Sequence, residues 1–289
     1  MGKAWCEASP AARETFDEAD RVLGDTLGAP LSRLCFEGPA DQLNRTDVAQ
    51  PALYACSVAS YRAMVEREGP LPPGAAAGLS LGEYTALHLA GVFDFAEGLR
   101  LVARRGRLMQ EASEAAASGM VALTGADEEQ AAAVCDAASE GDVLVCANFN
   151  APGQIVLSGD TRACERAVAT AQQMGLRATA LAVAGAFHSP LMQSAADGME
   201  QALQDAAFHP PRAAVWANVT ARPHDSQDME LLKRRLVEQI VNPVRWSETC
   251  RGLVDETRME FHELAPGAVL RGLMRRIDRK AKVISHDQP

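Results

Sequence analysis

An α/β fold of parallel strands carrying a small inserted α+β unit is predicted from three features of the 289-residue sequence. A short apolar strand pattern, Ala75-Ala76-Ala77-Gly78-Leu79, runs into a helix pattern over 81–90, with Ser80 at the joint. From about Gly119 the segments alternate strand, helix, strand, strand, helix, strand, which is the order of a ferredoxin-like unit. Beyond Pro190, helices and short strands alternate again, as in a layered α/β protein.

Each element has its own local reason. Ser9-Pro10 joins an N-cap to a proline at the first helical position, and Ala12, Phe16, Ala19 and Leu23 then share one helix face up to Gly24. Residues 31–47 read as loop-rich. Pro51 reads as the start of a long apolar helix through Leu53, Ala55, Val58, Tyr61 and Val65, ending near Gly69. A Gly-Pro-Leu-Pro-Pro-Gly linker at 69–74 leads to the strand before Ser80. Asp94 with Glu97 gives a capping-box-like start to a helix carrying Leu99, Val102, Leu108 and Met109.

In the following unit, strands are predicted over 120–124, 143–148, 154–158 and 176–183, and helices over 127–139 and 160–174. Next come a helix to about residue 207, a strand at 213–218, and helices at 228–241 and 247–256. A strand at 260–264, a helix at 268–277 and a strand at 282–285 close the chain. The implied division is a core of residues 1–116 and 186–289 around a small subdomain of residues 117–185.

Composition narrows the function. A chain with 47% hydrophobic and 23% charged residues is globular and long enough to bury a large core. Its formal charge of −10 argues against a general nucleic-acid binder, which needs a basic face for phosphates. An acidic partner could still dock on a local basic patch. Seven scattered cysteines, never spaced C-x-x-C, read as reduced thiols. The start lacks an apolar signal core and no apolar run reaches membrane-spanning length, so a cytoplasmic chain with no membrane partner is expected. With no P-loop, G-x-G-x-x-G or H-E-x-x-H, neither a cofactor nor a metal is expected.

Gly78-Leu79-Ser80-Leu81-Gly82 fits a nucleophile elbow: a sharp strand-to-helix turn whose glycines remove side chains that would collide. The helix beginning there turns backbone N–H groups, that of Leu81 first, toward an oxyanion. A serine needs a base. Of six histidines, His188 follows a strand and a glycine turn and lies after the serine in chain order. His88, His209, His224, His262 and His286 have no such setting, and an idle loop residue remains the competing reading of His188.

Six ordered segments carry a resemblance: GLSLGEY at 78–84, RRGRLMQE at 104–111, NFNAPGQ at 148–154, GAFHSPLM at 185–192, NVT at 218–220 and QIVNPVRW at 239–246. Together they resemble the malonyl-CoA:acyl-carrier-protein transacylase family of fatty-acid and polyketide synthesis, over nearly the whole chain. The resemblance implies a hydrolase-like parallel-sheet core with a ferredoxin-like insert. It also implies a seryl-ester, ping-pong transfer of malonyl from malonyl-CoA to acyl carrier protein.

By position it assigns Ser80 as nucleophile, His188 as base, and the main-chain carbonyl of Gln239 as the group orienting that base. Arg105 matches the arginine that binds the malonyl carboxylate, although Arg100, Arg104 and Arg107 on the same helix read as a solvated face. Phe187 matches a bulky residue of malonyl-selective members. Leu79 stands where many relatives have histidine. Relatives also begin with a strand and a Pro-Gly-Gln-Gly-type loop that gives a second oxyanion donor, and this sequence starts just beyond that loop.

A monomer is expected. Two basic groups could receive the acidic carrier: Arg271, Arg275, Arg276, Arg279, Lys280 and Lys282, or Lys233, Arg234 and Arg235. The alternatives are a serine esterase or thioesterase, and a degenerate relative without catalysis.

Overall fold

Helices fill the first part of the chain. The computed structural model describes residues 1–256 and 260–289. α1 (Lys3–Ala8) runs into α2 (Pro10–Leu23), where the Ser9 hydroxyl accepts from the Ala12 N–H. Ala12, Phe16, Ala19 and Leu23 are all buried, as their spacing requires. The segment expected to be loop-rich instead forms α3 (Leu31–Glu37) and the short α4 (Ala40–Leu43). Leu31, Leu34 and Cys35 lie at helical spacing and are buried, so packing overrides the glycine and proline signals around them.

α5 (Thr46–Glu68) begins at Thr46 and not at Pro51. The proline sits in the second turn, where it strips a partner only from the Asp47 carbonyl. The Thr46 N–H is taken by Gln110 Oε1 at 3.2 Å. Gly106 admits that first turn closely: a Cβ there would stand 2.8 Å from the Thr46 carbonyl oxygen.

β1 (Ala75–Ala76) is shorter than the sequence suggests, because Asn218 Nδ2 takes the Gly78 carbonyl at 2.8 Å and turns the chain off the ladder. α6 (Gly82–Leu89) follows Ser80, and α7 (Phe95–Ala115) is capped by Asp94, which accepts from the Glu97 N–H at 2.7 Å. The Glu97 side chain turns to Arg100, so only half of a capping box forms.

The insert comprises β2 (Ser118–Thr124), α8 (Glu128–Ser139), β3 (Leu144–Ala151), β4 (Gln154–Asp160), α9 (Thr161–Gln173) and β5 (Arg177–Ala180). Its antiparallel sheet runs β3-β4-β2-β5, the ferredoxin-like order, and Asp127 with Gln130 forms a full capping box for α8. Val121, Leu123, Ile155 and Leu157 pack on Ala131, Val134, Ala163 and Ala167, giving the insert a core of its own.

A 3-10 turn (Pro190–Met192) opens α10 (Gln193–Asp205), followed by β6 (Ala214–Ala217), β7 (Arg222–Pro223), α11 (Met229–Val241) and α12 (Trp246–Glu256). β8 (Phe261–Leu264), α13 (Val269–Ile277) and β9 (Val283–His286) complete the chain. β1 pairs with β6 and β8 with β9, both parallel, while the two-residue β7 adds an antiparallel edge. An apolar groove of about 510 Å³ is lined by Ala75, Ala76 and Gly78 on one side and by Phe261 and Leu264 on the other. β3 is tied to the core through Val244, whose N–H and carbonyl bond Ala147 and Phe149 at 2.9 Å each. That tie sets the segment after α11 against the insert, beside the serine turn.

Candidate active site

Ser80 adopts φ 51°, a left-handed conformation that a non-glycine residue enters only when its surroundings impose it. A Cβ on Gly78 would stand 2.0 Å from the Gly82 carbonyl carbon, so the turn closes only with glycine there. Gly82 differs: a Cβ would meet nothing within 4 Å, and the expected collision relief belongs to Gly78 alone. Asn218 clamps the turn, its Oδ1 accepting from the Ser80 N–H at 2.6 Å and its Nδ2 donating to the Gly78 carbonyl. The Leu81 N–H finds no acceptor among the described residues, and it opens α6 beside the serine.

His188 is brought to Ser80 from the far end of the insert, its Nε2 2.8 Å from Ser80 Oγ. Its backbone is also left-handed, φ 57°, in a turn closed by the Ser189 hydroxyl donating to the Ala186 carbonyl at 2.6 Å. His188 Nδ1 lies 2.7 Å from the Gln239 carbonyl. A carbonyl only accepts, so Nδ1 carries the proton and Nε2 presents its lone pair to the serine. Burial first, and then the positive charge of Arg105, push the imidazole down to about 4, against the opposing pull of the Gln239 carbonyl. It is neutral at neutral pH and able to take a proton.

Arg105 is the side chain that α7 turns inward, 1% exposed, whereas Arg104 and Arg107 are exposed and Arg100 pairs with Glu97 at the surface. Nη1 donates to Gln50 Oε1 at 2.6 Å, and Nη2 to both Ser80 Oγ and Gln239 Oε1 at 2.9 Å. Its guanidinium carbon stands 5.7 Å from the Tyr84 ring centroid. Its Nε has no acceptor, and no carboxylate pairs with it among the described residues. Every oxygen on this buried cation is neutral. Desolvation lowers its pKa, against opposing pulls from Tyr84 and Glu83.

Phe187 is half-buried and packs both on the main core and beside Met120, Ala147 and Val156 of the insert. Leu79 joins Val244, Leu273 and Met274 in a separate apolar cluster. The remaining histidines stay apart from Ser80. His88 Nδ1 meets the Phe93 carbonyl, His262 and His286 stack, His209 is exposed, and His224 pairs with Glu83.

Sequence reasoning missed Gln50, Glu83, His224 and the side chains of Asn218 and Gln239. One signal was present. Gln50, Glu83 and Gln239 are polar residues on otherwise apolar helix faces, which demands a buried partner. Among the described residues, no group of three His, Cys, Asp or Glu side chains is arranged to hold a metal, and no helix is long and apolar enough to cross a membrane.

A strained serine at a strand-to-helix turn, a neutral histidine on its hydroxyl and a buried unpaired cation define the class: an α/β enzyme of acyl transfer. Residues 1–286 match the acyl transferase domain family. The malonyl CoA-acyl carrier protein transacylase of Haemophilus influenzae is 40% identical over 277 residues, 96% of this chain and 87% of the relative. A solved transacylase of that name from Xanthomonas oryzae superposes with a TM-score of 0.94 at 40% identity, covering 100% of this chain and 90% of the other. The same TM-score, 0.94 at 38% identity, relates it to a malonyl-transacylase solved with its type II polyketide acyl-carrier protein, over 100% and 92% of the two chains. The chain belongs to the acyl transferase family, among the malonyl CoA-acyl carrier protein transacylases.

Proposed function

We propose that this enzyme transfers malonyl from malonyl-CoA to the phosphopantetheine thiol of acyl carrier protein, supplying fatty-acid biosynthesis. One observation carries the choice of acyl group: Arg105 is buried, lacks a carboxylate partner, and stands 2.9 Å from Ser80 Oγ. An isolated buried guanidinium is costly unless an anion arrives to meet it, and malonyl brings a free carboxylate that fits the fork with two charge-assisted hydrogen bonds. Acetyl would leave the cation unpaired.

In the first half-reaction Ser80 Oγ attacks the thioester carbonyl while its proton passes to His188 Nε2. The Leu81 N–H and the positive end of α6 face the oxyanion, and Gln239 holds the imidazolium through its carbonyl. The C–S bond breaks, CoA leaves with the proton from His188, and malonyl remains as a Ser80 ester. In the second half-reaction the carrier thiol gives its proton to His188 and attacks the ester. Serine is then released with that proton. A neutral carbonyl orients the ring without the added stabilisation of a carboxylate.

The carrier is read onto α13. Arg271, Arg275, Arg276, Arg279 and Lys280 are exposed and form no ion pair among the described residues, and only Lys282 of that group is paired, with Glu260. In the other group Lys233 pairs with Glu230 and Arg235 with Glu238, leaving Arg234 alone exposed without an ion pair among the described residues. The buried side of α13, Leu273 and Met274, lies in one cluster with Leu79 of the serine turn. A carrier held there has the elbow within reach. A division into a core of 1–116 and 186–289 and an insert of 117–185 keeps Ser80, Arg105, His188 and Gln239 together in the core, with Phe187 packed beside Met120, Ala147 and Val156 of the insert. Seven unpaired cysteines support a reducing, cytoplasmic setting.

A serine esterase would use the same elbow with water as acceptor and gain nothing from Arg105. A relative without catalysis would have no use for a neutral imidazole 2.8 Å from the hydroxyl. Arg105→Ala separates these readings: transfer loses its malonyl preference, and a plain esterase is indifferent.

A further inference from the structure

A buried anion stands directly behind the serine turn. Glu83, on the first turn of α6, has a side chain only 1% exposed. Its Oε2 accepts from the Asn218 N–H at 2.9 Å and from Gln239 Nε2 at 2.8 Å. Its Oε1 lies 2.7 Å from Nε2 of His224, whose own side chain is also 1% exposed. An ionised carboxylate only accepts, so that ring nitrogen carries a proton. The His224 N–H bonds the Val215 carbonyl at 2.8 Å, so the ring is carried on the β6–β7 ladder.

The Gln239 amide lies between opposite charges. Its Nε2 faces Glu83 and its Oε1 faces Arg105 Nη2 at 2.9 Å. Turning the amide over would set an NH2 against the guanidinium and a carbonyl against the carboxylate, losing both bonds at once. Glu83, together with the Ser80 carbonyl that accepts from the same Nε2 at 3.0 Å, therefore fixes the amide, and the amide fixes one arm of Arg105. The carbonyl of the same residue holds His188 Nδ1.

We infer that His224 is a positioning residue for acyl-group selection: by holding Glu83 it fixes Gln239, and through Gln239 the guanidinium that receives the substrate carboxylate. It contacts neither Ser80 nor the acyl group. Without its proton, the buried carboxylate is one donor short. Rotating toward a new donor would relieve that, and the rotation loosens Gln239 Nε2. The inference rests on the malonyl-transfer reading.

The test compares His224→Phe, which keeps a ring and removes the donor, with His224→Gln, which returns an N–H near the position of Nε2. Ser80 loading from malonyl-CoA and from acetyl-CoA is followed by intact-protein mass spectrometry and expressed as a ratio of rates, which does not depend on the fraction of protein folded. The Phe variant should lose about tenfold of its malonyl preference, with the acetyl rate nearly unchanged, and the Gln variant should stay within about twofold of wild type. A wild-type ratio in His224→Phe overturns the inference. So does a His224→Gln variant as impaired as the Phe variant, since the ring and not its hydrogen bond would then matter. Wild-type protein that fails to load malonyl overturns the functional reading as well, and the control shows this before any variant is made.

Discussion

Arg105 donates to Ser80: Nη2 of the buried guanidinium lies 2.9 Å from the hydroxyl oxygen that also faces His188. One oxygen therefore sits between a base and a cation. The cation is held by neutral oxygens of Gln50, Ser80 and Gln239, a set that on the proposed mechanism the substrate carboxylate displaces. Arg105→Ala should lower kcat/KM for malonyl-CoA roughly a hundred- to a thousandfold, because the incoming carboxylate is then buried without a partner. Acetyl-CoA loading should hardly change. Arg105→Lys should fall between, since a point charge cannot span both carboxylate oxygens. Parallel kinetics with the two thioesters check this.

On the proposed mechanism, the imidazole of His188 sets the acid limit. Burial and Arg105 push it down to about 4, so the base form persists well below the 6.5 of an ordinary histidine. The acid limb of kcat/KM for malonyl-CoA should therefore fall toward pH 4, where an unperturbed histidine would already cut the rate near 6.5. Stability follows the same sign. The unfolded chain takes the proton near 6.5 and the folded chain only near 4, so this group's contribution is present above 6.5 and lost as pH falls toward 4. Urea unfolding of wild type and His188→Gln across that window should show a steeper acid loss in the wild type.

The two glycines of the elbow should part company. Gly78→Ala forces a Cβ to 2.0 Å from the Gly82 backbone and should cost about 3 kcal/mol or more, with loss of activity. Gly82→Ala meets open space at the start of a helix and should stay within about 0.5 kcal/mol of wild type. Thermal denaturation of both variants measures the contrast.

Reversing charge at Arg275 and Arg276 should raise KM for the carrier protein about five- to tenfold and leave KM for malonyl-CoA unchanged. An unchanged carrier KM removes α13 as the landing surface.

Much of the architecture was legible because it rests on local rules. Ser9-Pro10, Asp94 and Asp127 each mark a helix start that the backbone obeys, and the alternation after Gly119 produced the ferredoxin-like sheet order. Residues 31–47 misled because short helices there are held by tertiary burial of Leu31, Leu34 and Cys35. Pro51 misled because a proline in a second turn is tolerated when one carbonyl alone is left without a partner. At the site, Ser80 and His188 stood out by motif and context, and Arg105 by resemblance alone. Glu83, Gln239 and His224 meet only in three dimensions. Their roles depend on contacts across as many as 159 residues of sequence separation, where no spacing rule reaches.

Intact-protein and peptide mass spectrometry after brief incubation with malonyl-CoA tests the core of the mechanism most directly. A single malonyl ester is expected on Ser80, discharged by carrier protein and absent from Ser80→Ala. Malonyl on another residue, or transfer that survives Ser80→Ala, would contradict it.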